Sequence, residues 1–173
     1  NVKLTQPFRG EMNDSRTQIL LTSGELTAAG LFDGSISNIS EIALNVLSKQ
    51  STVPYSNFTI KMKNTTTAFL PGGGSTFETG TTIVFGPVTY STIAGINNFV
   101  LTSPFSWDST QNLLIEICYD NGNGGGGRSA AADTVAGTTQ PFIYYQYDRS
   151  TAAGAAGCVL PTAGFAFQDR PNV

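Results

Sequence analysis

Ser103-Pro-Phe-Ser-Trp-Asp-Ser-Thr-Gln-Asn-Leu-Leu-Ile-Glu-Ile-Cys-Tyr-Asp-Asn121 is the stretch on which the fold class turns. From Asn112 to Asp120 the apolar residues fall at every second position. Leu113, Ile115, Ile117 and Tyr119 form one row, and Glu116 and Asp120 stand opposite. That period of two belongs to a strand with one buried face, not to a helix. The polar turn before it holds the only tryptophan, and the strand closes on a cysteine.

The same alternation recurs on both sides. Phe58, Ile60 and Met62 oppose Thr59, Lys61 and Lys63 within 55–63, and Ile42, Leu44 and Val46 oppose Glu41, Ala43 and Asn45 within 39–47. Each such strand is expected to keep one wet face, as antiparallel sheets do. Further strands are expected at 17–22, 82–90, 97–102, 141–147 and 164–169. Pro71-Gly-Gly-Gly74, Ser103-Pro104 and the glycine run from Asn121 to Gly127 read as breaks, because glycine and proline do not continue a strand cheaply. The one helical signal is 23–30, with Ser23 as cap and Gly30 as terminator. About eight or nine strands with turn signals roughly every dozen residues predict an all-β antiparallel sandwich of jelly-roll type.

Composition bounds the rest. A chain of 173 residues suits one well-buried domain. Charged residues make up only 12%, and the nine Lys and Arg are scattered, for a net charge of −3. No basic face is therefore available for phosphates or anionic lipid, which argues against nucleic-acid and membrane-surface partners. No apolar run approaches the roughly 20 residues that span a bilayer, so no membrane insertion is expected. The sequence starts at Asn1 without a hydrophobic leader, as expected for a mature exported chain whose signal has been removed.

Cys118 and Cys158 are the only cysteines. Outside the cytosol they are expected to pair, the alternative being two unrelated buried thiols. Closing a loop of ~40 residues would stabilise the fold by about 4 kcal/mol.

The N-terminal residues 1–9 read as a short arm ahead of a domain spanning 10–173. Val2, Leu4 and Phe8 alternate with Lys3, Thr5 and Pro7. Such an arm either pairs with an edge of its own sheet or adds to that of a neighbouring subunit.

Several segments together resemble a domain recurring in secreted and cell-surface proteins of Bacteroidetes. They are Arg16-Thr-Gln-Ile-Leu with Ser23-Gly-Glu-Leu-Thr-Ala-Ala-Gly30, Ile36-Ser-Asn-Ile39 entering Ile42-Ala-Leu-Asn-Val46, and Phe58-Thr-Ile-Lys-Met-Lys-Asn-Thr65. Ala94-Gly-Ile-Asn-Asn-Phe99, Ser103-Pro-Phe-Ser-Trp-Asp108, Asn112 to Asn121 and the closing Arg170-Pro-Asn172 complete the series. The resemblance implies an exported β-sandwich module, alone or appended to a larger surface protein, with no catalytic residues to carry over. Two departures stand out: Ser109 replaces the usual glycine after Trp-Asp, and the chain stops at Val173, as a free-standing subunit or a segment of something longer would.

The chemistry on offer is sparse. Without histidine, the Ser-His-Asp, Cys-His and histidine-metal sites are excluded. The glycine runs lack the Gly-Lys-Ser/Thr of a phosphate loop. Twelve Asp and Glu leave a two-carboxylate site formally open, but most read as solvent-facing. No cofactor is expected. Calcium is the one metal to consider, through Asp108, Asp120, Asn121 and Asn123 with Asn112 nearby, although the spacing misses the EF-hand and the residues suit ordinary turns. Trp107 is either a sugar-stacking platform beside Asp108 and Asn112 or a core corner. Tyr144, Tyr145 and Tyr147 place aromatics on both faces of one strand, with Tyr145 and Tyr147 as contact candidates. Asp108-Ser-Thr110 and Asp133-Thr-Val135 match an Asp–Ser/Thr–small O-glycan pattern at Ser109 and Thr134. These features favour a non-catalytic extracellular structural or adhesive module, a filament subunit that self-associates. The alternative is a carbohydrate-binding module for surface glycans.

Overall fold

The computed structural model describes residues 2–31, 36–121, 131–142, 145–150 and 157–173, with Ile36 and 145–150 described in backbone only. Among the described residues, eleven strands and one short α-helix follow in order. They are β1 (Val2–Leu4), β2 (Asp14–Leu21), α1 (Ser23–Ala28), β3 (Ile36–Ser48), β4 (Tyr55–Thr65) and β5 (Thr82–Tyr90). Then come β6 (Gly95–Asp108), β7 (Asn112–Asp120), β8 (Thr134–Thr139), β9 (Tyr145–Ser150), a 3₁₀ turn at Gly157–Val159, β10 (Phe165–Phe167) and β11 (Asp169–Pro171).

The first sheet runs β1-β8-β3-β6, with β11 also against β8, and the second runs β10-β9-β2-β7-β4-β5. All described pairings are antiparallel. The first eight strands thus alternate between layers as 1-8-3-6 over 2-7-4-5, the jelly-roll order that the turn spacing predicted.

The core lies where the inner rows meet. Phe58, Ile60 and Met62 of β4, Leu113, Ile115, Ile117 and Tyr119 of β7, and Leu44 and Val46 of β3 are buried in one cluster. One end of it is aromatic: the Phe58 ring stacks on Tyr90 at 5.1 Å and on Phe99 at 5.5 Å, and Phe8 stacks on Phe58 at 5.9 Å. Offset and edge-on ring pairs of this kind add to the area they bury. Phe8 is therefore a core residue, not part of an arm. It is 0% exposed, and its carbonyl accepts from the Asp133 N–H and the Tyr55 hydroxyl. Only Val2–Leu4 forms a separate strand, which pairs with β8 of its own sheet.

Several features differ from the sequence reading; the strand expected at 17–22 runs Asp14–Leu21, and the one expected at 141–147 is Tyr145–Ser150. Ser103-Pro104 does not end a strand, because β6 runs through to Asp108. Opposite Ser40 the register jumps from Ile39↔Phe105 to Glu41↔Val100, so 101–104 forms a bulge on an edge strand, where a missing proline N–H is tolerated. The cap of α1 is Thr22 rather than Ser23: its hydroxyl accepts from the Glu25 N–H while Glu25 accepts from the Thr22 N–H. Gly30, at φ +93°, ends the turn as expected. The expected strand at 164–169 divides at Gln168 into β10 and β11, one in each sheet. The unforeseen β8, Thr-Val-Ala-Gly-Thr-Thr, hides behind Gly137. A Cβ there would come within 2.6 Å of the Leu4 side chain and 2.7 Å of the Arg170 carbonyl.

Wet outer faces were expected on both sheets, and the second sheet lacks one over β2 and β7. Glu116, Gln18 and Leu114 are 0% exposed. Two loop segments cover them, joined by the Thr76↔Thr162 bridge and by main-chain bonds from Gly74 to Ala163 and from Phe77 to Pro161. The expected Cys118–Cys158 disulfide ties the 3₁₀ turn to β7 beneath. Gly157 is required at that contact, since a Cβ would lie 1.9 Å from the Tyr119 carbonyl oxygen.

Candidate interaction surface

The first sheet contains a gap. β3 pairs with β6 from Ile36 to Val46, but along its other edge it meets β8 only at Val46 and Ser48. Beyond that point β11 has taken the place beside β8, with Pro171 opposite Gly137 and Asp169 opposite Thr139. Arg170 holds β11 there by reaching across the sandwich to the Leu20 carbonyl and to Glu25 of α1. Among the described residues, no strand pairs with the inner edge of β3 between Ile36 and Asn45. Main-chain donors and acceptors along such an edge are a template for another strand.

A cavity of about 370 Å³ opens beside this edge. Its floor is aliphatic: Leu21, Leu113 and Ile115 from the second sheet, Leu26 of α1, and Ile39 and Ile42 of β3. Val173 also lines it, and Glu41, exposed, stands on the rim. A row of main-chain groups above an apolar trough suits an extended segment with apolar side chains at alternate positions.

The ionisable groups mostly serve the fold. The Glu116 carboxylate receives Arg16 at 2.8 Å, Gln18 at 2.7 Å and Lys61 at 2.9 Å, and the Arg16 guanidinium lies 4.5 Å from the centre of the Phe77 ring. Asp133 accepts from the main-chain N–H of Gln50 and Ser51 and from the hydroxyls of Ser51, Tyr55 and Thr92. Burial raises its pKa, but the Thr92, Ser51 and Gln50 bonds outweigh that and hold it below the usual carboxylate value. Asp14 behaves in the opposite way. It is 0% exposed and lies opposite Asp120 across β2 and β7. Burial first, then a hydrogen bond to Asp120 and the charge of Asp120, push its carboxyl up to about 7. No sequence pattern marks this carboxylate pair, because the two residues are far apart in the chain and only the strand register joins them.

The sequence-derived candidates scatter. Trp107 is 0% exposed and donates its indole N–H to the Gln111 carbonyl, so it packs the core and offers no face to a sugar. Asp108 accepts from Thr110 and Gln111 in an Asx turn, bonds that lower its pKa. Asp120 lies at the far end of β7 from Asn112, about 26 Å away at the strand rise, so the proposed calcium ligands do not converge. Asn121 accepts from the Ser56 N–H, and Asn123 lies outside the described residues. Among the described residues no three His, Cys, Asp or Glu form a metal cluster. Tyr145 and Tyr147 are placed in β9 by backbone alone, and Tyr144 lies outside the described residues. Ser109 and Thr134 are half-buried, and the Asp133 preceding Thr134 is sealed in its hydrogen-bond network.

No family model, curated protein or solved structure matches this chain. A disulfide and the absence, among the described residues, of any helix long and apolar enough to cross a membrane are compatible with an extracellular protein.

Proposed function

We propose that this chain is a non-catalytic extracellular module that assembles with copies of itself, the repeating subunit of a surface filament. The observation that carries this reading is the inner edge of β3, with which no strand pairs between Ile36 and Asn45 among the described residues, above an aliphatic trough. A monomer that left such an edge unused would expose a template for indiscriminate strand addition. The structural use of Glu116, Asp133, Glu25 and Glu78 adds weight, since their carboxylates hold strands, loops and a helix cap rather than a shared cleft. The disulfide fits an oxidising compartment. Negative-stain microscopy and sedimentation of the native protein test the proposal. Fibres or concentration-dependent oligomers are expected, and a strictly monomeric protein across the accessible concentration range overturns it.

A second reading rests on a different surface. Phe69 and Phe142 stand 58% and 56% exposed, with rings stacked at 6.3 Å. An exposed aromatic pair is the kind of platform a carbohydrate-binding module uses, in place of the buried Trp107. A glycan array supports this reading if it yields a ligand that Phe69→Ala loses. An array without ligands removes it.

A further inference from the structure

We infer that the trough beside β3 accepts the N-terminal strand of a second copy, with Val2 and Leu4 entering the trough and Lys3 pairing with Glu41. This inference rests on the self-assembly reading and names the two surfaces that meet.

The acceptor makes three demands. Its main-chain edge, unpaired among the described residues, requires an extended segment, its aliphatic floor requires apolar side chains at every second position, and Glu41 on its rim favours a cation on the outward face. Val2-Lys3-Leu4 meets all three. Glu41 alternates with the buried Ile42 along β3, as Lys3 alternates with Val2 and Leu4. Lys3 and Glu41 are both exposed, and neither takes part in an ion pair among the described residues.

The donor is also lightly held. β1 is held by three residue pairs at the edge of its sheet, Val2↔Gly137, Lys3↔Ala136 and Leu4↔Val135. The chain becomes fixed at Gln6, whose side chain accepts from Ser15 and Thr17, and at the buried Phe8. Residues up to Thr5 can therefore swing out, Leu4 giving up its contact with the core edge while Gln6 and Phe8 stay seated. Pairs lost on β8 are replaced by pairs gained on β3 of the neighbour. Because donor and acceptor are different surfaces, each copy gives one strand and takes one, which propagates an open head-to-tail chain.

Sedimentation of the intact protein and three sets of variants provides the test. Lys3→Glu and Glu41→Lys should each weaken association about fivefold, and the double reversal should restore it, as expected for a cross-strand charge pair. Deleting residues 1–5 should abolish association while circular dichroism stays that of a folded sandwich. The double variant Lys3→Cys/Glu41→Cys should give a ladder of disulfide-linked oligomers on a non-reducing gel. Within one copy the two positions lie two strands and four residues apart, roughly 16 Å, beyond the reach of a disulfide. Wild-type oligomers that survive the deletion and the charge reversals, with no ladder, overturn this inference and leave the self-assembly reading standing. A monomeric wild type overturns both.

Discussion

Beneath the loops of the second sheet, Glu116, Arg16 and Gln18 lie sealed from water, while on the outer face of the first sheet Leu47, Ile96 and Val100 stand 44%, 55% and 67% exposed. Charge is buried on one layer and aliphatic surface is wet on the other, the reverse of what residue type alone suggests. The register explains the first half. Gln18 and Lys61 flank Glu116 directly on the neighbouring strands, and Arg16 reaches the same carboxylate from one pleat away. A carboxylate so surrounded can be covered, whereas an isolated one cannot. The second half follows from what each layer is tied to. The disulfide and the Thr76↔Thr162 bridge bring covering loops to the second sheet, and among the described residues the outer rows of β3 and β6 have no such cover.

Removing the tie should disturb the comparison most. A Cys118→Ser/Cys158→Ser double variant should lose about 4 kcal/mol, the loop-closure contribution of a 40-residue separation. Chemical denaturation measures it, and a loss below about 1 kcal/mol would mean that the loops stay seated without the bond. Glu116→Ala comes next, at about 3 kcal/mol, because it leaves Arg16 and Lys61 facing each other without their shared counter-ion. Glu116→Gln should cost less, since it keeps the acceptor that Arg16 and Gln18 need.

The pH dependence of stability separates the two kinds of buried carboxylate. Folded Asp14 holds its proton up to about 7, whereas the unfolded chain releases it near 3.8. Its contribution is thus fully present below about pH 4 and is lost as pH rises from about 4 to about 7. Asp133, Glu25 and Glu78 carry lowered pKa values and act in the other direction: their contribution holds above the usual carboxylate range and disappears in acid. Asp14→Asn should flatten the decline between about pH 4 and 7 and leave the acid limb in place. Urea midpoints at successive pH values check this, and an unchanged slope would show that folded Asp14 does not hold its proton over that range. The smallest effect belongs to the open face. Val100→Thr should alter stability by no more than about 0.5 kcal/mol, since the side chain is already in water. A larger loss would reveal a cover on the first sheet as well.

Much of the fold was legible because burial imprints a period of two. The inner rows of β3, β4 and β7 were readable from residues 39–47, 55–63 and 112–120, and β5 matched its expected limits. The strand β8 was not legible, because its glycine and threonines serve a close contact with Leu4 rather than a hydrophobic stripe. The site was less legible still. Trp107 and Asp108 drew attention as residue types, yet the trough is made of ordinary leucines and isoleucines. What distinguishes it is that, among the described residues, no strand pairs with β3 there, and such an absence leaves no mark on the residues along the edge.

Alternation, turn chemistry and a lone pair of cysteines therefore determined a disulfide-tied antiparallel sandwich from the sequence by itself, since each depends on neighbours a few positions away or on a count. Which charges were buried, which edge was left open and where Phe8 came to rest were decided only by the tertiary structure. Those outcomes depend on cross-strand register and on loops meeting from opposite ends of the chain, such as Thr76 with Thr162 and Asp133 with Ser51. No local pattern encodes them.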